Sequence, residues 1–411
     1  MTFSTFSTFS LNPVLLKALA DCKYDVPTEI QTQSIPHILA NKDVMARAQT
    51  GTGKTAAFAL PILQQLLTAK STKFTIEALV LTPTRELAQQ VHKSFVKYSE
   101  HTHLNIGIAY GGVSTKKQIN EIKAGLNVLI ATPGRLLDLI RSGNLTLADV
   151  KTIVFDEADR MLDMGFKEEI DQIRKYLPIV KQTLLFSATF GNDIYKMSKK
   201  LLVSPTIIEI DKNNKAADDI EQVIYAVDEE RKRELISFLI GSKNWQQVLI
   251  FTRTKQCADH LAKEMTKDGI RSTAIHGDKS QGARDKALAE FKTGKVRALI
   301  ATDIAARGID IKGLNYVINY ELPYNAEDYI HRIGRTARAG NSGVAVSLVC
   351  VKEEWLLTAI EELLNIRLLQ QWYPGYEPDL NKLAKSEMGN KKKHNKAKKR
   401  QQAIAKYNKI K

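Results

Sequence analysis

Short apolar runs, each too brief for a helix, recur along the chain with amphipathic stretches between them, and this alternation limits the fold more than any other feature. The runs include Ala78 to Leu81, Val128 to Ile130, Ile153 to Phe155 and Leu184 to Phe186, then Val248 to Phe251, Ala298 to Ile300 and Tyr316 to Ile318. Runs without polar alternation describe strands covered on both faces, the condition of a parallel sheet. Between them, Arg85 to Tyr98, Phe166 to Tyr176 and Gln256 to Lys267 carry apolar residues at helical spacing. Strand and helix in alternation predict an α/β fold with parallel sheets.

The pattern occurs twice, and 411 residues exceed what one hydrophobic core usually holds. The expected division is a first domain over 1–208, a polar linker over 209–219, a second domain over 220–367 and a basic tail over 368–411. The linker EIDKNNKAADD has no face to bury, as a flexible hinge requires. The tail, with GNKKKHNKAKKR at its centre, cannot bury a core and is expected to be disordered or helical only on binding.

Charge separates body from tail. The chain carries a net +15. From Lys382 to Lys411, 12 Lys or Arg face the single acid Glu387, a net +11, which leaves the remainder at +4. A tail of this kind suits a polyanion, although a solubilising terminus would also be basic. Cys22, Cys257 and Cys350 lie far apart with no Cys-x-x-Cys, which signals neither a disulfide framework nor a zinc site and points to the reducing cytoplasm. The N-terminal MTFSTFSTFS lacks a signal-peptide pattern, and no run approaches the roughly 18 apolar residues of a spanning helix. No membrane contact is expected, nor any metal cluster from the eight histidines.

Chemistry enters at RAQTGTGKT, Arg47 to Thr55, where the apolar run Val44 to Ala46 passes through a glycine-rich turn into the apolar helical stretch Ala56 to Leu67. Gly51 and Gly53 let backbone N–H groups converge on phosphate oxygens, Lys54 adds a point charge, and Thr55 adds a hydroxyl for Mg²⁺. The pattern G-x-x-x-x-G-K-T is met except that Ala48 replaces the first glycine. The second requirement is a carboxylate at a strand end. Asp156 and Glu157 directly follow the run ending at Phe155; Asp156 suits Mg²⁺ and Glu157 suits proton abstraction from an attacking water.

At Asp156-Glu157-Ala158-Asp159 the chain resembles the DEAD-box ATP-dependent RNA helicases, and the resemblance runs from about residue 6 to 367 with the motifs in the family's order. It implies two tandem RecA-like domains, each a parallel sheet flanked by helices. Pro27 to Gln31 (PTEIQ) resembles the motif that reads adenine, with Gln31 presenting donor and acceptor together and Phe6 as the stacking aromatic; the TFSTFSTFS repeat offers three phenylalanines, any of which could instead cover the core. Lys23 stands where the family usually has glycine. Gln49, Thr50, Gly51, Thr52, Gly53, Lys54 and Thr55 form the implied phosphate site, with Asp310 near the ribose.

PTRELA (Pro83 to Ala88), Gly111-Gly112 and TPGR (Thr132 to Arg135) are similar to the family's RNA-binding segments, which makes Arg85, Gly112, Thr132 and Arg135 contacts to backbone phosphates. Thr132-Pro133 also reads as a helix start. LIFTRT, HGD and ATDIAARGID add Arg253, Gly277, Asp278, Thr302 and Gly308. Ser187, Thr189 and Asp159 are implied to couple ATP state to unwinding. HRIGRTAR supplies Arg335 and Arg338, three apart and expected on one helical face, as arginine fingers, and His331 beside the catalytic water. ATP with Mg²⁺ and RNA are the expected cofactor and partner.

The same paired domains occur in DNA helicases, and a non-catalytic RNA clamp is a further alternative. PTEIQ with SAT and HRIGRTAR favours RNA; intact Glu157 and both arginines favour turnover. The compact core is most like bacterial members associated with ribosomal precursor assembly and RNA turnover, acting as cytoplasmic monomers.

Overall fold

The computed structural model describes residues 5–48, 51–69, 74–210, 220–306, 314–336 and 343–379. The chain forms two compact units, divided near Asn213 and Asn214. Each holds one seven-stranded sheet whose strand pairs are all parallel.

The first sheet contains β1 (Val44–Arg47), β2 (Ala78–Leu81), β3 (Ile106–Ala109), β4 (Val128–Ala131), β5 (Thr152–Asp156), β6 (Gln182–Ser187) and β7 (Thr206–Glu209), in the order β3-β4-β2-β5-β6-β1-β7. The second contains β8 (Ile220–Ala226), β9 (Val248–Thr252), β10 (Ser272–Ile275), β11 (Ala298–Thr302), β12 (Tyr316–Asn319), β13 (Gly343–Val349) and β14 (Gln370–Gln371), in the order β10-β11-β9-β12-β13-β8-β14. Counted from its own first strand, the second order repeats the first.

Burial explains which strands the apolar runs mark. β2, β4, β5, β6, β9 and β11 are buried at every position, because helices cover both faces of a parallel sheet. Alternate residues feed separate cores: Val154 joins one, Ile153 and Phe155 the other. The edge strands β3 and β7 alternate covered and open positions instead.

The expected boundaries shift at two points. Glu209, placed in the linker, closes β7, while residues 211–219 lie outside the described residues. The second unit does not end at Arg367. β14 pairs with β8, Leu368 is buried, and Tyr373 meets Tyr225 edge-on at 5.5 Å and Phe238 at 5.7 Å. Residues 368–379 therefore belong to the folded unit, and the tail from residue 380 onward lies outside the described residues. The three cysteines are free.

Candidate nucleotide and RNA site

The sheet order sorts the motifs of the first unit. The phosphate loop follows β1, the DEAD segment ends β5 and Ser187 ends β6, and these strands are neighbours in the order β5-β6-β1. Arg85, Gly112 and Thr132 follow β2, β3 and β4, which adjoin on the other side as β3-β4-β2. All emerge at carboxyl ends of parallel strands, where open α/β sheets bind ligands.

In the phosphate loop, Gly51 (φ 89°) and Gly53 (φ 95°) occupy left-handed backbone conformations, and Gly53 caps the helix Lys54–Thr68. Lys54 is 6% exposed and its Nζ donates to the Ala48 carbonyl at 2.8 Å, so the residue replacing the first glycine holds the lysine across the turn. Gln49 and Thr50 lie outside the described residues. The Gln31 carboxamide is bound to backbone on both sides: Oε1 accepts from Thr28 N–H at 2.9 Å, and Nε2 donates to the Gly53 carbonyl at 3.1 Å. It thus ties the PTEIQ segment to the phosphate loop while keeping one donor and one lone pair in reserve. Phe6 is 4% exposed and edge-on to Phe9, so its ring belongs to the core in this conformation rather than lying open to a base. Lys23 adopts φ 59°, the conformation that explains a glycine at this place in the family.

A side chain at Gly53 would collide with Gln31 Nε2 and approach Thr28 Oγ1 to 3.0 Å, whereas one at Gly51 meets nothing within 4 Å. Both positions carry left-handed strain of about 1–2 kcal/mol for a non-glycine residue, but only the first breaks the link to Gln31. Gly53→Ala should therefore lower the melting temperature of the nucleotide-free protein by several degrees more than Gly51→Ala. Equal losses in thermal unfolding would contradict the Gln31 link.

Around the carboxylates, Asp156 is 3% exposed, and burial pushes its carboxyl up to about 7 despite the nearby Lys54; Glu157 pushes it further the same way. Its Oδ1 is buried without a hydrogen-bond partner, as is Glu157 Oε2. Glu157 has φ 54° and ψ 53°, a strained turn that sequence reasoning did not anticipate, and lies 3.4 Å from Arg160 Nε. Asp159 faces the SAT segment: its Oδ2 accepts from Ala188 N–H at 3.1 Å, Thr189 N–H at 3.2 Å and Thr189 Oγ1 at 3.4 Å. Ser187 Oγ donates to the Thr189 carbonyl at 2.7 Å.

On the other half of the edge, Thr132 caps the helix Pro133–Arg141, with Pro133 at its first position. Arg135 donates to Gln118 Oε1 at 2.8 Å and to the Val113 carbonyl at 3.3 Å. A side chain at Gly112 (φ 81°) would collide with Arg85 Nη1. Arg85 thus packs against Gly112 while Arg135 binds the adjoining Val113 carbonyl.

In the second unit the candidates follow β10, β11 and β9, again adjacent. Asp278 pairs with Lys255 Nζ at 2.6 Å, Gly277 lies beside that lysine, and Thr302 ends β11. Arg253 pairs with Glu321 and Glu353. His331 lies on the helix Ala326–Ile333, but Arg335 follows its last turn, so the expectation of a shared helical face with Arg338 fails at the helix end. Arg335 is 5% exposed, and its Nε donates to the His331 carbonyl at 3.3 Å. Gly308, Asp310 and Arg338 lie outside the described residues.

Arg332 is the site residue that sequence reasoning missed. At 1% exposure it binds Asp303 through two bonds, Nε to Oδ1 at 2.6 Å and Nη2 to Oδ2 at 2.8 Å. Its Nη1 also donates to Asn319 Oδ1 at 3.1 Å and the Glu321 carbonyl at 2.6 Å. This bidentate geometry locks the helix carrying His331 onto β11 and β12. A surface trio of Asp21, Glu100 and His101 was likewise not visible in the sequence; His101 pairs with Asp21 at 2.7 Å.

The DEAD/DEAH box helicase family model matches residues 28–197, and that of the helicase conserved C-terminal domain matches 230–340. The DEAD-box ATP-dependent RNA helicase RhpA of Helicobacter pylori is 44% identical over 345 residues, covering 84% of this chain and 69% of the relative. The ATP-dependent RNA helicase RhlB of Pseudomonas aeruginosa is 42% identical over 376 residues, covering 90% and 95%. Among solved structures, S. cerevisiae Dbp5 bound to RNA and ADP BeF3 is similar with a TM-score of 0.81 and 32% identity, covering 93% of this chain and 98% of that one.

Proposed function

The chain belongs to the DEAD-box family of ATP-dependent RNA helicases, and from that premise we propose how its residues divide the work. The protein is an RNA-dependent ATPase that unwinds RNA with ATP. The observation that carries the residue assignment is the sorting of phosphate-binding and RNA-binding segments onto neighbouring strand ends, with Asp159 hydrogen-bonded to the SAT segment between them.

The phosphate loop and Lys54 bind the phosphates, with Gln31 at the adenine; Phe6, buried in the core, would have to leave it to reach a base. Thr55 and Asp156 would hold Mg²⁺: the unpartnered, buried Asp156 Oδ1 is an oxygen that a cation satisfies. Mg²⁺ neutralises charge on the phosphate oxygens when bound. Glu157 takes the proton of the attacking water on its carboxylate, whose Oε2 faces Arg160 Nε at 3.4 Å. Arg335 and Arg338 of the second unit stabilise the transferred phosphoryl group, with His331 beside them and Asp310 at the ribose. Catalysis then requires residues of both units, and each unit carries its own RNA-binding segments. Phosphate release in the presence of RNA, compared with DNA of the same sequence, tests this: equal stimulation by the two would overturn the RNA assignment.

We place the protein in the cytoplasm as a monomer that remodels ribosomal precursor or RNA-turnover assemblies; the free cysteines and bacterial relatives support this reading. Among the described residues, no helix is long and apolar enough to cross a membrane.

The tail tethers RNA. Deleting residues 382–411 should flatten the salt dependence of single-stranded RNA binding, because each neutralised phosphate contributes a slope of about −0.7. ATPase activity at saturating RNA should hardly change, since no assigned catalytic residue lies beyond Arg338. Titrations at several salt concentrations decide it, and an unchanged slope would reduce the tail to a solvated terminus.

A further inference from the structure

One aromatic ring at the strand ends of the second unit has no part in the roles assigned above. Tyr324 is 71% exposed. It stands between Pro323 and Asn325, whose Oδ1 accepts the Glu327 N–H at 3.2 Å and opens the helix Ala326–Ile333, so its backbone is anchored on both sides. The Arg253 guanidinium lies against the ring, 4.9 Å from its centroid.

That arginine is firmly held. Its backbone N–H donates to Glu321 Oε2 at 2.8 Å, its Nε and Nη2 donate to Glu321 Oε1 at 3.3 and 3.2 Å, and Nη2 lies 3.1 Å from Glu353 Oε1. Glu353 is itself buried against Lys232, which also binds the Tyr320 and Leu348 carbonyls. Two carboxylates compensate the Arg253 charge and fix the guanidinium plane under the ring. An arginine so engaged supports an aromatic ring better than it recruits a phosphate.

The ring also lies in register with the RNA candidates. Gly277 and Asp278 follow β10, Thr302 ends β11, Arg253 follows β9 and Tyr324 follows β12, and these strands adjoin as β10-β11-β9-β12. A rigid, exposed ring backed by a guanidinium at the end of a phosphate-contacting edge has the features of a base-stacking platform. We propose that Tyr324 stacks on a base of single-stranded RNA and that Arg253 is a positioning residue acting through it.

This rests on the RNA-binding reading above, and the test separates the two. Full-length protein is titrated with a single-stranded oligouridylate and with an abasic oligomer of equal length and charge. Tyr324→Leu should weaken oligouridylate binding roughly 5- to 100-fold, the range of one lost stacking contact, without changing the salt slope. Tyr324→Phe should bind as the natural protein does. The natural protein should prefer the oligouridylate over the abasic strand, and Tyr324→Leu should lose part of that preference. Arg253→Lys should reproduce the weakened preference with an unchanged slope, whereas a slope smaller by about 0.7 would make Arg253 a phosphate ligand. If Tyr324→Leu matches the natural protein, or Tyr324→Phe falls as far as Tyr324→Leu, the stacking proposal is wrong. If the natural protein binds neither oligomer and its ATPase ignores RNA, the failure belongs to the RNA reading itself.

Discussion

Replacing Arg335 by alanine should lower RNA-stimulated ATP turnover by roughly 10³–10⁵, the contribution of an arginine finger to phosphoryl transfer, while ATP affinity changes little. The reason is the division of the chemistry along the chain: phosphate loop, Asp156 and Glu157 belong to the first unit and Arg335 to the second. In the proposed role Arg335 stabilises the transition state more than the bound substrate, so its loss falls on kcat. Arg335→Lys should recover only a fraction of the rate, because an ammonium cannot reproduce the planar fork of a guanidinium. Single-turnover hydrolysis with saturating RNA measures the effect. A decrease of less than tenfold would remove Arg335 from the catalytic set.

Glu157→Gln should bind ATP normally and slow hydrolysis by about 10²–10³, the loss typical of one electrostatic group in a preorganised site. Lys54→Ala should do the reverse and act first on ATP binding. The distinction rests on geometry. Lys54 reaches back across the phosphate loop to the Ala48 carbonyl, whereas Glu157 is held by a left-handed turn with its Oε2 3.4 Å from Arg160 Nε. Glutamine keeps the shape and removes the charge, so the backbone strain is unaltered and the rate reports on proton abstraction. Near-normal turnover in Glu157→Gln would refute that assignment.

Much of this was legible in the sequence because central parallel strands and glycine-rich turns are local signals. Leu81, Phe155 and Ile250 sit in continuous apolar runs, and Gly51 and Gly53 adopt the left-handed conformations their residue type suggests. What escaped was non-local or set against local preference. β14 is two residues long and exists only through pairing with β8. Glu157 takes a positive φ that its residue type disfavours. Asp303 and Arg332 both lay within quoted motifs, yet no spacing rule pairs residues that strand order brings together. The spacing of Arg335 and Arg338 suggests one helical face, yet the helix stops at Ile333 with Gly334 as its C-cap, a stop signal that spacing alone does not register.

In the proposed mechanism, the ATP chemistry of the first unit and Arg335 of the second act together in strand separation. Displacement of a short labelled strand from an RNA duplex by the full-length protein tests it most directly, with ATP present or absent and with Arg335→Ala alongside. The natural protein should displace the strand only when ATP is present, and Arg335→Ala should displace almost none at equal ATP occupancy. Equal displacement without ATP, or an unimpaired Arg335→Ala, would contradict it.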